Sequence, residues 1–405
     1  MIPRPPGFDR AVRLSRLAAV RVRNQVTAPG FASRAGDNGM VPNGAVAVFF
    51  ATEPGNLYQF TQWQAPLEEL ARTRPVFVIV DRPDTGEQVL ATTTLPVAFA
   101  RGSRELEDLV AERDIRVVLY VNQVEPNFRM LRFPGPVHIQ IGHGESDKAG
   151  SASNQHKAYD LVFVGGAAGR DRLGHALRGF DVHQRTVPIG RPQLDHTYPG
   201  APDWPPGSGL RVWYAPTWEG DRASIAYGSL VSHGVSMVEA LLSDPSIRVI
   251  YRPHPRTGKA SAAHAAADAK IRGLLEAAGD RHLVDRGGYG WQWDFADACV
   301  TDISAVAYDW LATGKPLVIT EPAASAYRPA SPLLDGLPLL TAPDAAEVVS
   351  LLHGLGLDPR HPAHDVRLTE LAHHYFGDTA DRASSTRFAA AIEQAYVVAS
   401  TSPRT

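Results

Sequence analysis

Cysteine is almost absent from this chain: Cys299 is the single one among 405 residues. An internal disulfide is excluded, and a reducing, cytoplasmic setting is expected. No apolar run reaches the about 18 residues of a membrane-spanning helix, and the first residues lack the apolar core of a secretory signal. Charge of one sign is not in excess either. Forty Lys and Arg stand against 43 Asp and Glu, a net of −3 that gives no overall pull toward nucleic acid. Metal-ligand spacings such as HExxH or CxxC are missing, and the neighbours His373 and His374 would point different ways on a helix. No DxD, Walker A or GxSxG segment occurs. Neither a metal nor a cofactor is expected.

What is present is an ordinary soluble composition, 44% hydrophobic and 20% charged, in a length that suggests two domains with separate cores. Residues 1–40 are rich in arginine (Arg4, Arg10, Arg13, Arg16, Arg21, Arg23 and Arg34) and poor in acids. Residues 8–24 suit a helix, either lying on an anionic membrane surface or packed on the domain. From residue 45 a strand–helix rhythm begins. The runs 46–50, 76–80, 117–121, 137–141, 161–164 and 186–189 read as strands, and 103–113 reads as a helix. Their unbroken apolar character suits a parallel sheet covered on both faces. The stretch 198–209, with four prolines and three glycines, reads as a linker. The rhythm then restarts at 210–214 and continues through 248–251, 298–301, 316–320 and 339–341, with helix composition at 380–397. The expected α/β organisation is two Rossmann-like domains, 41–197 and 210–378, facing each other across a cleft, followed by a C-terminal helix and tail at 379–405.

Two histidines fall where strands hand over to loops, the place where open α/β sheets gather ligands. His254 lies in Arg252-Pro253-His254-Pro255, where two prolines stiffen the backbone and pre-orient the imidazole. Arg252 adds a fixed positive charge able to face a diphosphate. His143 lies in Gly142-His143-Gly144-Glu145-Ser146-Asp147-Lys148, and a neutral imidazole there suits a base on a hydroxyl, oriented by Glu145 or Asp147. A bystander histidine on a flexible loop fits that segment about as well. Thr217 and Trp218 end another strand, with Thr217 placed to bond substrate and Trp218 to pack beneath it or in the core. Asp302-Ile303-Ser304 opens a helix whose amides and Ser304 hydroxyl suit a phosphate, and Asp309 on that helix suits a ribose hydroxyl. Taken alone, Asp302 and Ser304 fit a plain helix cap better.

Taken together, these segments resemble the CDP-glycerol glycerophosphotransferase family of teichoic-acid primases and polymerases. The likeness rests on His143-Gly144 with Lys148, Gly190-Arg191-Pro192 with Asp195, and Tyr214 to Trp218. It continues through Arg252 to Pro255, Thr301-Asp302-Ile303-Ser304, Asp309, and Lys315-Pro316. The resemblance implies a GT-B fold and metal-independent transfer of a polyol-phosphate from a CDP-activated donor such as CDP-glycerol. The acceptor would be a lipid-linked or polymeric hydroxyl at the inner membrane face. On that pattern His143 would be the general base and His254 would stabilise the donor diphosphate. Arg252, Thr217, Asp302, Ser304 and Asp309 would hold the nucleotide and its phosphates, with Glu145 and Lys148 on the acceptor side. The sequence departs from the pattern at Glu145, Ile303 and Ala305, where the family has Thr, Tyr and Ser. Glu145 thereby sets a negative charge beside the expected base. Two other readings stay open: a GT-B glycosyltransferase using a nucleotide-sugar, and a GT-B-fold protein that binds without catalysis.

Overall fold

The computed structural model describes residues 8–35, 41–148, 151–205, 209–220, 226–322, 331–337, 339–356 and 365–401, without the side chains of 8–17, 21, 33 and 34. The chain divides into two compact units, one of residues 1–141 with 392–405, the other of residues 142–391.

The first unit carries the strands β1 (Val46–Phe50), β2 (Val76–Val80), β3 (Val97–Phe99), β4 (Val117–Tyr120) and β5 (Val137–Gln140) in the order β3-β2-β1-β4-β5. All pairs are parallel, with Val46 opposite both Val76 and Val117. Every residue of β1, β2 and β4 is buried, as their unbroken apolar runs predict. The helix Ser103–Arg113 forms where expected. The N-terminal helix is longer than expected, Phe8–Arg34. Its end packs on the unit: Phe31 meets Phe99 edge-on at 5.2 Å and fills the space a side chain at Gly86 would take. Val22 and Val26 on the same helix are exposed. Arg4 and the side chains of Arg10, Arg13, Arg16, Arg21 and Arg34 lie outside the described residues. Residues of the C-terminal helix Ala383–Thr401 return to this unit, where Glu393 accepts from Arg74 Nε at 2.9 Å.

The second unit holds the parallel pair β6 (Leu161–Val164) and β7 (Thr186–Pro188). It also holds a six-stranded parallel sheet of β8 (Leu210–Ala215), β9 (Ile247–Tyr251), β10 (Leu283–Val284), β11 (Ala298–Thr301), β12 (Leu317–Thr320) and β13 (Leu339–Leu340). Its order is β10-β9-β8-β11-β12-β13. Side chains alternate between two cores. Trp213, Ile250, Cys299 and Ile319 pack on one face, while Val212, Tyr214, Val249, Tyr251, Val300 and Val318 pack on the other. The single cysteine is therefore a core residue. The order is that of a doubly wound dinucleotide-type sheet, whose winding reverses between its first and fourth strands, here β8 and β11. The chain thus has an α/β, GT-B-like fold.

Two short strands escape a periodicity reading, β3 and β10, since three and two residues are too few to show a pattern. Several side chains of residues 143–195 pair with 217–385: Lys148 with Thr217, Asp147 with Ser331 and Tyr375, Arg191 with Asp309, Asp195 with Ser385. Such long-range pairing leaves no composition signal.

Candidate active site

The site grows from the point where β8 and β11 diverge. Asp302 leaves β11 fully buried, and its two oxygens accept from the Thr217 amide at 2.7 Å and the Thr320 hydroxyl at 2.6 Å. Burial pushes its pKa up, against hydrogen bonds from Ser229, Thr320 and Thr217. One carboxylate thus ties together the ends of β8, β11 and β12. Asp302, expected at the nucleotide, here works as a hub under the site, because a buried carboxylate takes whatever donors the neighbouring strand ends offer. Thr301 adds a second tie, donating to the Ala215 carbonyl at 2.7 Å, and its hydroxyl lies 3.3 Å from that of Ser304. Ser304 is the extended residue before the helix Ala305–Leu311, and its side chain caps none of that helix's amides.

His254 follows β9. Its Nδ1 accepts from the Arg256 amide at 3.1 Å, so in the neutral ring the proton sits on Nε2. Burial, together with the charges of Lys148, His143, Arg256 and Lys259, pushes its pKa down to about 3. The ring is therefore neutral near pH 7 and suited to donate from Nε2. Trp218 lies nearly parallel to it at 6.4 Å, and the Arg256 guanidinium sits 3.8 Å from the Trp218 ring centre. Glu219 fixes the turn from below by accepting from the amides of Gly258, Ala260 and Ser261 at 3.1, 2.8 and 3.1 Å. Arg252, expected at the diphosphate, pairs instead with Asp285 at 2.6 Å and with the Gly287 carbonyl at 3.0 Å. The buried Asp285 carboxylate compensates that charge.

The loop after β5 carries His143. Gly142 has φ +62°, a conformation side-chain-bearing residues rarely adopt. A Cβ on Gly144 would lie 2.6 Å from the Ala305 Cβ, so Gly144 and the helix start at Ala305 are fitted to each other. The Ala305 departure is part of this contact. Glu145, expected beside the histidine, has a partner of its own. Its carboxylate accepts from Arg172, on the helix Ala167–Ala176, which also holds Asp147 at 2.9 Å. Asp147 further accepts from Ser331 and Tyr375, and its amide donates to the Tyr308 hydroxyl at 3.1 Å. The charge introduced by Glu145 is thus compensated within the unit, and the loop is anchored on its far side. Lys148 reaches the other way and donates to the Thr217 hydroxyl at 3.3 Å.

Asp309 is buried and accepts from Arg191 Nε at 2.8 Å, from Arg191 Nη2 at 3.0 Å and from the Tyr289 hydroxyl at 2.6 Å. The carboxylate expected at a ribose is held by this pair. Arg191 Nη2 also donates to the His143 carbonyl at 3.3 Å, so the pair supports the histidine loop. Lys315, in the Lys-Pro segment, caps the helix Trp291–Phe295 by donating to the carbonyls of Trp293, Asp294 and Ala296.

The structure therefore brings His143, His254, Lys148 and Thr217 together, with Ser304 tied to the same strand ends, and turns Arg252, Glu145, Asp302 and Asp309 to supporting pairs. Arg172, Arg191, Arg256 and Lys259 were not singled out by sequence reasoning. Arg191 lies inside the recognised Gly-Arg-Pro segment, but its partner is 118 positions away. Among the described residues, no group of three His, Cys, Asp or Glu side chains is arranged to hold a metal ion.

Residues 178–334 match the family described as CDP-Glycerol:Poly(glycerophosphate) glycerophosphotransferase, bearing out the resemblance carried by the motifs. No curated protein sequence matches significantly. Among solved structures, the wall teichoic acid polymerase TagF is similar with a TM-score of 0.56 at 13% identity, over 96% of this chain and 99% of that one. A putative UDP-N-acetylglucosamine 2-epimerase from Listeria monocytogenes gives 0.59 at 13%, over 88% and 97%. The UDP-GlcNAc 2-epimerase from Neisseria meningitidis, bound to UDP-GlcNAc, gives 0.55 at 12%, over 86% and 100%. At these identities the likeness speaks for the fold.

Proposed function

We propose that this chain is a glycerophosphotransferase-like enzyme. It moves a polyol-phosphate, glycerol-phosphate in the first instance, from a CDP-activated donor to a hydroxyl of a lipid-linked or polymeric acceptor, without a metal. The observation that carries the reading is the meeting of His143, His254, Lys148 and Thr217 in a unit containing the whole family-matched stretch. A TagF variant soaked with CDPG has the same fold at 12% identity and a TM-score of 0.56, over 96% of this chain and 99% of that one, which is consistent with a CDP-linked donor here.

In this mechanism the acceptor oxygen attacks the phosphorus that bears the glycerol. The bond from that phosphorus to the bridging oxygen breaks, and CMP leaves with the electron pair. The hydroxyl proton passes to His143. His254, neutral and protonated on Nε2, donates to the diphosphate oxygens as charge builds on the leaving CMP. Thr217 and Ser304 add hydroxyls at the strand ends, and the turn pinned by Glu219 limits reorganisation around His254. Among the described residues no helix is long and apolar enough to cross a membrane. Access to a lipid-linked acceptor at the inner membrane face would run through the Arg-rich residues 4–34.

The test is incubation with CDP-glycerol, and separately with a panel of UDP-sugars, using a Gram-positive membrane fraction as acceptor source. The expected result is CMP release with phosphodiester formation. Release of UDP or UMP, with CDP-glycerol untouched, would overturn the proposal in favour of a glycosyltransferase.

A further inference from the structure

Lys148 and Lys315 make an instructive contrast. Both ammonium groups are surrounded by protein, and burial lowers the pKa of each. Lys315 spends its three donors on three backbone carbonyls, at 2.8, 3.3 and 2.8 Å. Among the described residues Lys148 has one hydrogen-bond acceptor, the Thr217 hydroxyl at 3.3 Å, and it lies 5.4 Å from the Tyr227 ring centre. Among the described residues no carboxylate lies within 4.0 Å of it. Asp302 is the acidic group it feels, but the Asp302 oxygens are taken by Thr217 and Thr320. Glu219, on the same strand-end segment as Thr217, is spent on three amides. The Lys148 side chain nevertheless keeps some contact with solvent. An ammonium offers three donors, and sequestering a charge without a counter-charge is costly. Its other neighbours, His254 and through it His143, Arg256 and Lys259, add positive charge or none. Such a group calls for an anion with several oxygens.

We propose that Lys148 holds the phosphoryl oxygens of the group being transferred; this deepens the transferase reading above and rests on it. The lysine reaches from the His143 loop to the end of β8 and would neutralise phosphoryl charge beside His254. A bound phosphate would complete its donors.

The proposal is tested with inorganic pyrophosphate as the probe, by calorimetry on the full chain at pH 7 and pH 9, with Lys148→Met and Lys148→Arg. Near-UV circular dichroism verifies the fold of each. The ammonium, with its pKa lowered to about 8, is charged below that pH and neutral above it. Around it stand Asp302, Tyr227 and His254, and His254 in turn feels His143, Arg256 and Lys259; all are common to the three proteins. We expect Lys148→Met to weaken pyrophosphate binding at least about tenfold at pH 7. Wild-type binding should weaken from pH 7 to pH 9 relative to Lys148→Arg, whose guanidinium stays charged. The ligand's own ionisation is the same for both proteins.

Absence of pyrophosphate binding by the wild type would overturn the proposal, as would undiminished binding by Lys148→Met or an identical pH response in Lys148→Arg. If Lys148→Met does not fold, the Lys148→Arg comparison decides alone. Binding needs no turnover. Lysine-dependent binding without CDP-glycerol turnover would therefore sink the transferase reading alone. Equal turnover by wild type and Lys148→Met would sink the lysine assignment alone.

Discussion

Replacing Asp309 by alanine separates two roles for one carboxylate. In the structure Asp309 takes two charge-assisted hydrogen bonds from Arg191, at 2.8 and 3.0 Å, and a third bond from Tyr289 at 2.6 Å. The side chains of the pair are only 5% and 1% exposed. Each charged bond is worth about 1.5–3 kcal/mol. Removing one partner of a buried pair costs about 3–5 kcal/mol, because the other charge stays sequestered. For a unit of this size that is a fall in midpoint of roughly 6–20 °C. The double variant Arg191→Met with Asp309→Leu removes both charges and should recover most of the loss, since an apolar pair of similar volume is near neutral. Thermal and urea unfolding of the two single variants and the double variant give the coupling energy directly. CDP binding, measured beside it, should change little in Asp309→Ala at a temperature where the protein is folded. The reasoning fails if Asp309→Ala keeps its stability within about 1 kcal/mol while CDP affinity drops tenfold. That pattern would mean the carboxylate faces the nucleotide.

Two other perturbations probe the histidine loop. Gly144→Ala forces a Cβ against Ala305 and should cost about 1–3 kcal/mol as well as activity. Ala305→Gly in the same chain should restore much of both, and lack of rescue in urea unfolding and turnover would refute the fitted contact. Arg172→Met leaves Glu145 and Asp147 as two neighbouring carboxylates without their cation. It should destabilise by about 3–5 kcal/mol, and adding Glu145→Gln with Asp147→Asn should recover part of that in urea unfolding. Equal stability of Arg172→Met and wild type would show that the clamp contributes nothing.

Much of this protein was legible as local pattern. Apolar runs of four or five residues suit strands buried on both faces, and β1, β2, β4, β11 and β12 form where such runs lie. The residues after such a strand sit at the sheet's ligand edge, which points to His254, Thr217 and Ser304 from the sequence. Proline on both sides of His254 and glycine on both sides of His143 are also local facts, and both acquire a physical reason in the turn and the loop.

What the sequence could not assign was the use of each charge. Glu145 reads as a base-tuning or substrate-repelling group until Arg172, 27 positions later, is seen to compensate it. Asp309 reads as a ribose ligand, and the partner the fold gives it, Arg191, lies 118 positions away. Arg252 reads as a phosphate clamp until Asp285 takes it. A buried charge is paired by whatever the fold brings near it, and that choice depends on tertiary packing rather than on neighbours in the chain. Periodicity and turn chemistry settled where the strand ends lie. Only the folded chain decided which cations there are spent on structure, and among the described residues it gives Lys148 a single hydroxyl as hydrogen-bond partner.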